Sequence, residues 1–218
     1  MDKETLKRQA VLNPLTLTTG HPSHYSLLVS GQYNNSMSLN LESERLMIRN
    51  LKEEDLHHFF HYRSDPEVCR YQDWDTFDKE ATLEFIKDQQ KKGMHDLEEW
   101  VQLAIELKAE NHLIGDIAFR RYDKDGSLVE VGYAITPGHQ RKGYAFEALQ
   151  LLISHFFDKM DVHKITARVD PRNEGSLGLL DRLNFVKEGH IRKCFYDPID
   201  KEWVDEIVYG LLAEDFRR

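Results

Sequence analysis

The residues best placed to do chemistry are Gln140, Arg141, Lys142, Gly143, Tyr144 and Ala145, a short basic turn that carries a glycine. Upstream of it, Val129, Val131, Tyr133 and Ile135 alternate as strand residues do, and Pro137 with Gly138 stops the run. Downstream, Ala145, Ala148, Leu149, Leu152, Ile153 and Phe156 recur at helical spacing. The turn therefore sits at a helix N-terminus, where backbone N–H groups lack intrahelical partners and the dipole is positive. An anion binds naturally at such a place. Gly143 lets it approach the backbone, and the small Ala145 keeps the first turn uncrowded.

Two common phosphate loops do not fit. The string Gly-x-x-x-x-Gly-Lys-Ser/Thr is absent, and the segment offers only Gly138 and Gly143 toward a Gly-x-Gly-x-x-Gly fingerprint. What remains is Gln/Arg-x-x-Gly-x-Gly/Ala after a strand that ends in a proline turn. It resembles the acetyl-CoA pyrophosphate loop of the GNAT N-acetyltransferase superfamily. That resemblance implies that the N–H groups of Arg141 to Ala145, with the Gln140 side chain, wrap the pyrophosphate of the donor. A second block strengthens it. His163 to Asp170 alternates like a strand, Pro171 ends it, and Asn173-Glu174-Gly175-Ser176 opens a helix carrying Leu177, Leu180 and Leu183. Asn173, Ser176, Leu183-Asn184-Phe185 and Glu188-Gly189 are similar to the family's second signature, whose asparagine holds the pantetheine arm. Asn184 also suits a left-handed helix stop.

The resemblance implies direct attack of an amine on the acetyl-CoA thioester. Such a reaction needs a neutral amine, a stabilised oxyanion and a proton for the departing thiolate. By the resemblance, the backbone near Ala134 and Ile135 bonds pantetheine and faces the thioester oxygen. Glu130, on the same strand, is the general-base candidate; alternation alone leaves open whether it faces solvent instead. The tyrosine that many relatives carry seven residues after the asparagine is replaced by Leu180, so Ser176 is the nearest candidate for the acid. Tyr71 and Trp74 are candidate walls for the acceptor amine. Leu41 to Arg49, Asp65-Pro66-Glu67-Val68, Trp74 and the Trp203-x-Asp205-x-x-x-Tyr209 strand resemble the ribosomal-protein N-terminal acetyltransferase branch and its relatives. The expected acceptor is thus a protein N-terminal α-amine. A polyamine or aminoglycoside acceptor, served by acids such as Asp73, Asp75 and Asp78, and a catalytically silent acyl-CoA-binding module stay open beside it.

The remaining chemistry narrows the field. A net charge of −9 argues against a nucleic-acid partner. Apolar runs too short for a bilayer, and an N-terminus without a signal-type apolar stretch, lead to the expectation of a cytoplasmic protein without a membrane partner, monomeric or homodimeric. Cys69 and Cys194 fit free thiols. Among eleven histidines, His57 and His61 share a helical face, yet nothing at motif spacing completes a ligand set, so no metal site is expected.

Positioning these groups requires a particular set of elements. Residues 1–40, rich in Ser, Thr, Asn, Pro and Gly, read as a loosely ordered extension, and residues 41–218 as one domain. The pattern predicts strands at 44–49, 99–108, 113–122, 129–135, 163–170, 186–192 and 203–212, with a hairpin turn at Glu110-Asn111-His112. Helices are predicted from Glu53, over 79–92, from Tyr144 and from Asn173. The expected fold class is α/β (α+β): a GNAT-like central, mostly antiparallel twisted sheet of about seven strands, covered by about four helices.

Overall fold

A computed structural model describes residues 39–72, 78–197 and 200–216. The reading of residues 1–40 as an extension falls almost wholly outside them, as do Trp74, Asp73 and Asp75. Eight strands form one sheet: β1 (Asn40–Glu42), β2 (Leu46–Asn50), β3 (Trp100–Leu107), β4 (His112–Arg121), β5 (Leu128–Ile135), β6 (Lys164–Val169), β7 (Val186–Asp197) and β8 (Glu202–Leu212). Their order is β1-β2-β3-β4-β5-β6-β8-β7, and every neighbouring pair is antiparallel except β5 with β6. The sheet has one strand more than the periodicity predicts. At three residues, Asn-Leu-Glu, β1 is too short to show a period. β7 runs five residues past its predicted end because it is an exposed edge strand, without apolar alternation to mark its length.

The helices are α1 (Leu56–Arg63), α2 (Pro66–Cys69), α3 (Lys79–Gln89), α4 (Tyr144–Lys159), α5 (Glu174–Arg182) and α6 (Ala213–Phe216). α4 forms the crossover that parallel pairing of β5 and β6 demands. Its Ala148, Leu149, Leu152, Ile153 and Phe156 are wholly buried against the sheet face that carries Leu103, Ile105, Ile117 and Val129. Burial of each large side chain in that stripe contributes roughly 2 kcal/mol. Phe59 and Tyr62 of α1 and Ile86 of α3 cover the other face over Ala104 and Ala134. With helices on both sides, seven of the eight residues of β3 are buried.

Two buried ion networks stiffen the half of the sheet that precedes β5. Arg49 on β2 grips Asp55 through both carboxylate oxygens (2.6 and 2.7 Å) and reaches Glu106 on β3 at 2.7 Å. Arg63, at the end of α1, donates to Asp116 on β4. The Arg63 and Asp116 side chains are only 4 and 1% exposed, so each charge depends on the other for its solvation.

Candidate active site

The parallel pairing of β5 and β6 lasts for three residues: Leu128 with Lys164, Val129 with Ile165 and Glu130 with Thr166. Beyond Glu130 the two strands part. Main-chain N–H and C=O groups alternate sides along a strand, so half of those from Val131 to Ile135 face the opening. The gap widens into a cleft of about 880 Å³ lined by β5, the turn before α4, and the N-terminal turn of α5. It joins sequence blocks some thirty residues apart.

At the top of the cleft, Thr136 to His139 makes a tight turn and hands the chain to the basic loop. Arg141 and Gly143 both adopt positive φ, 60° and 83°. This backbone curls the loop onto the start of α4, where Gly143 is the N-cap and supplies no side chain to satisfy the first N–H groups. The loop is held from outside. Arg45 donates to the Lys142 carbonyl (3.1 Å) and to Glu147 in the first turn of α4 (2.7 Å), and its guanidinium stacks 4.6 Å over the Tyr144 ring. Burial alone would raise the Glu147 carboxyl, but hydrogen bonds from Ser43 and Arg45 outweigh it and hold the group below the usual carboxylate range.

Ala134, Ile135, Gln140, Arg141, Gly143, Tyr144, Ala145, Asn173, Ser176 and Tyr71 all line this cleft. Lys142 is not among the lining residues. The Gln140 amide donates to the Ile135 carbonyl (3.0 Å), so in this structure it braces the turn. Asn173 caps α5, its Oδ1 accepting from the Ser176 N–H at 3.0 Å. Asn184 stops that helix region with φ 62°.

Sequence reasoning missed Tyr133. Its hydroxyl lies 2.5 Å from the Ser176 hydroxyl, across the gap between β5 and α5. Burial pushes its pKa up to about 12, against the opposing effect of the Ser176 hydrogen bond. Strand alternation registers Tyr133 only as an apolar position, and the signal that could have found it was the Leu180 substitution, which leaves Ser176 needing another hydroxyl neighbour. Arg172 was also missed. It lines the cleft and ties Asp170 (2.6 Å) to Asp197 (2.7 Å), fastening the end of β6 to the β7–β8 hairpin.

Glu130 sits in a second, smaller pocket of about 270 Å³, which shares Tyr71, Gln72 and Tyr133 with the large cleft. Its carboxylate accepts from Arg120 at 2.7 Å and lies 3.5 Å from Arg168. The pocket's other acids are partnered as well: Asp116 with Arg63, Asp170 with Arg172, Glu206 with Arg168 at 3.4 Å, and Asp205 with the His190 ring at 2.7 Å and the Lys193 N–H at 2.9 Å. Together the two pockets form a route from the basic loop, past an open strand edge and a hydroxyl pair, to a chamber whose carboxylates all have partners.

Comparison with known proteins agrees with this layout. The family described as "Acetyltransferase (GNAT) domain" matches residues 45–186. The uncharacterized N-acetyltransferase YnaD of Bacillus subtilis (strain 168) is 31% identical over 178 residues, covering 82% of this chain and 99% of that protein. The [ribosomal protein uS5]-alanine N-acetyltransferase of Escherichia coli (strain K12) is 37% identical over 86 residues, 39% of this chain and 43% of that one. A crystal structure of spermidine N-acetyltransferase from Vibrio cholerae in complex with CoA and spermine shares the fold at a TM-score of 0.69 and 22% identity, covering 81% of this chain and all of that one. Among the described residues no helix is long and apolar enough to cross a membrane. A strand-edge cleft that ends in a glycine-capped basic loop, with a family match that runs from residue 45 to residue 186, makes this chain a member of the GNAT family, an acetyl-CoA-dependent N-acetyltransferase.

Proposed function

We propose that this enzyme acetylates a protein N-terminal α-amine, and that the small pocket beside β5 receives the acceptor. The carrying observation is the charge balance of that pocket: Asp116, Glu130, Asp170 and Glu206 each have an arginine partner, and the fifth acid, Asp205, is held by the His190 ring and the Lys193 N–H. A polycation requires several uncompensated carboxylates along its length, whereas a peptide brings one amine and a run of carbonyls. Arg70, Gln72 and Gln102, which also line the pocket, are donors suited to those carbonyls. The partial likeness to the uS5-alanine enzyme supports the same reading.

In this proposal acetyl-CoA enters as the acyl donor. Its pyrophosphate rests on the N–H groups from Arg141 to Ala145, and its pantetheine arm follows the open edge of β5 at Ala134 and Ile135. The donor side of the Asn173 amide holds the arm from α5, because the Asn173 oxygen already caps the helix. The amine attacks the thioester carbon, the C–S bond breaks, and an N–H of β5 takes the oxyanion. Glu130, directly or through a water, accepts the proton that the amine sheds. Ser176 gives its proton to the thiolate and takes one from Tyr133, which burial keeps protonated at rest in the neutral range and which regains its proton from water after the thiol leaves. Tyr71 borders both pockets and walls the acceptor. The mechanism also rationalises the acceptor. A carboxylate is a weak base in general, and an α-amine near pKa ~8 is easier to deprotonate than a lysine near ~10.4 by about 3 kcal/mol.

A thiol-release assay with peptides beginning in Ala or Ser, spermidine and an aminoglycoside tests the acceptor. Peptides are expected to turn over at least tenfold faster at equal concentration; spermidine outpacing every peptide would reverse the assignment. Glu130→Gln is expected to lower kcat by about 10²-fold, within the usual range for a general base, with acetyl-CoA affinity changed less than threefold. Undiminished kcat would remove Glu130 from the mechanism.

A further inference from the structure

The turn at the top of the cleft holds a second chemical cluster, to which the proposed acetyl transfer assigns no role, although one member, His139, also borders the cleft. Glu110 and His112 flank Asn111 in the β3–β4 hairpin, and His139 closes the turn that leads into Gln140. The His139 Nε2 lies 3.2 and 3.3 Å from the two Glu110 carboxylate oxygens, and the His112 Nε2 lies 3.1 Å from the nearer of them. These three residues can each offer one ligand atom, all within 4.8 Å of one another, and they are the one such group of three among the described residues.

The opposite ring nitrogens favour ligation. The Nδ1 of His112 meets the Glu110 backbone oxygen at 3.2 Å, and the Nδ1 of His139 meets the Thr136 hydroxyl at 2.8 Å. An imidazole that donates from Nδ1 to such an oxygen keeps its Nε2 lone pair for a metal, and this outer hydrogen bond is the usual support of a histidine ligand. Here both Nε2 atoms converge on one carboxylate. Ligand atoms bound at about 2.0–2.2 Å to a common ion lie about 3–4 Å apart, so modest rotation of the exposed Glu110 suffices to close the set. His58 stacks on His112 at 4.2 Å and nearly parallel, fixing the ring plane.

We propose that Glu110, His112 and His139 bind one divalent transition-metal ion of the zinc class, fastening the β3–β4 hairpin to the turn that carries the pyrophosphate loop. Two imidazoles and a carboxylate suit Zn²⁺ over Mg²⁺ or Ca²⁺, which prefer all-oxygen shells. Three protein ligands leave one position for water, as in an open site.

The test is calorimetric titration of the chelator-stripped full chain with ZnCl₂. One ion per chain is expected, with affinity at least tenfold weaker in His112→Gln and in His139→Gln. Zinc should also raise the Tm of the parent and leave that of both variants unmoved. A His57→Gln/His61→Gln double variant should bind as the parent does. Far-UV circular dichroism confirms that each variant is folded, and Glu110→Gln, at an exposed turn, supplies a third variant if a histidine substitution disturbs the hairpin. Absence of saturable binding in the parent, leaving only a histidine–carboxylate hydrogen-bond cluster, would overturn the proposal. So would binding that survives in all three variants or vanishes in the His57/His61 control. None of these readouts uses enzymatic activity, so they stand apart from the acceptor assignment.

Discussion

Gly143→Asp is expected to weaken acetyl-CoA binding at least a hundredfold while leaving the fold intact. At φ 83° Gly143 occupies the left-handed region, where a side chain is strained by roughly 1–2 kcal/mol, aspartate being among the better tolerated. A β-carbon there meets only the Arg45 guanidinium at 3.5 Å, an ordinary contact at the end of a flexible chain. Space is therefore not the difficulty. The carboxylate would sit at the N-cap of α4 and take the first-turn N–H groups that the pyrophosphate needs, and its charge would repel the ligand. An acidic group at a helix N-terminus is otherwise favourable, which offsets the backbone strain. Titration calorimetry should show lost affinity, and thermal unfolding should stay within a few degrees of the parent. Gly143→Ala, carrying the strain without the charge, should lose only a few-fold. Equal affinity in the aspartate variant would refute the cradle.

Arg63→Met should cost about 3–5 kcal/mol of stability, the usual penalty for leaving one member of a buried ion pair unpartnered. Methionine has similar bulk and can lay its thioether on the Phe59 and Phe85 rings that the guanidinium now covers (4.8 and 5.7 Å), so the loss reports charge more than packing. Asp116 would remain 1% exposed without its arginine. Denaturant unfolding of Arg63→Met, Asp116→Leu and the double variant separates the contributions. The double variant should recover at least half of the loss, because removing both charges removes the desolvation problem. Additive losses in the double variant would mean that the pair contributes by packing alone. The consequence reaches the site: Asp116 pairs in register with Ala134, so this buried pair backs the strand edge along which the donor is proposed to lie.

Much of the strand, turn and helix around the proposed donor site was legible because its determinants are local. Proline and glycine end β5, a change of period starts α4, and the loop between them is short enough to have one geometry. Asn173 as a cap and Asn184 at φ 62° likewise follow from side-chain chemistry within a few residues. Even there, locality has limits: Lys142 belongs to the motif but not to the cleft wall, and Gln140 turns its amide to Ile135. The unread contacts all span distance in the chain. Tyr133 and Ser176 are 43 residues apart, Arg63 and Asp116 53, Arg45 and Glu147 102. Alternation says that Glu130 lies on one of two faces; only the packing of β4 and β6 beside it says which arginines meet it there.

From sequence alone, then, came the family, the mixed sheet and the glycine-bearing turn at the start of α4, because such a turn needs only glycine, a helix start and a preceding strand in contiguous order. The small pocket beside β5, the hydroxyl pair and the histidine–glutamate cluster were decided by tertiary structure. Each is built from side chains on separate elements, and their charge balance depends on strand register and helix placement that no local pattern encodes.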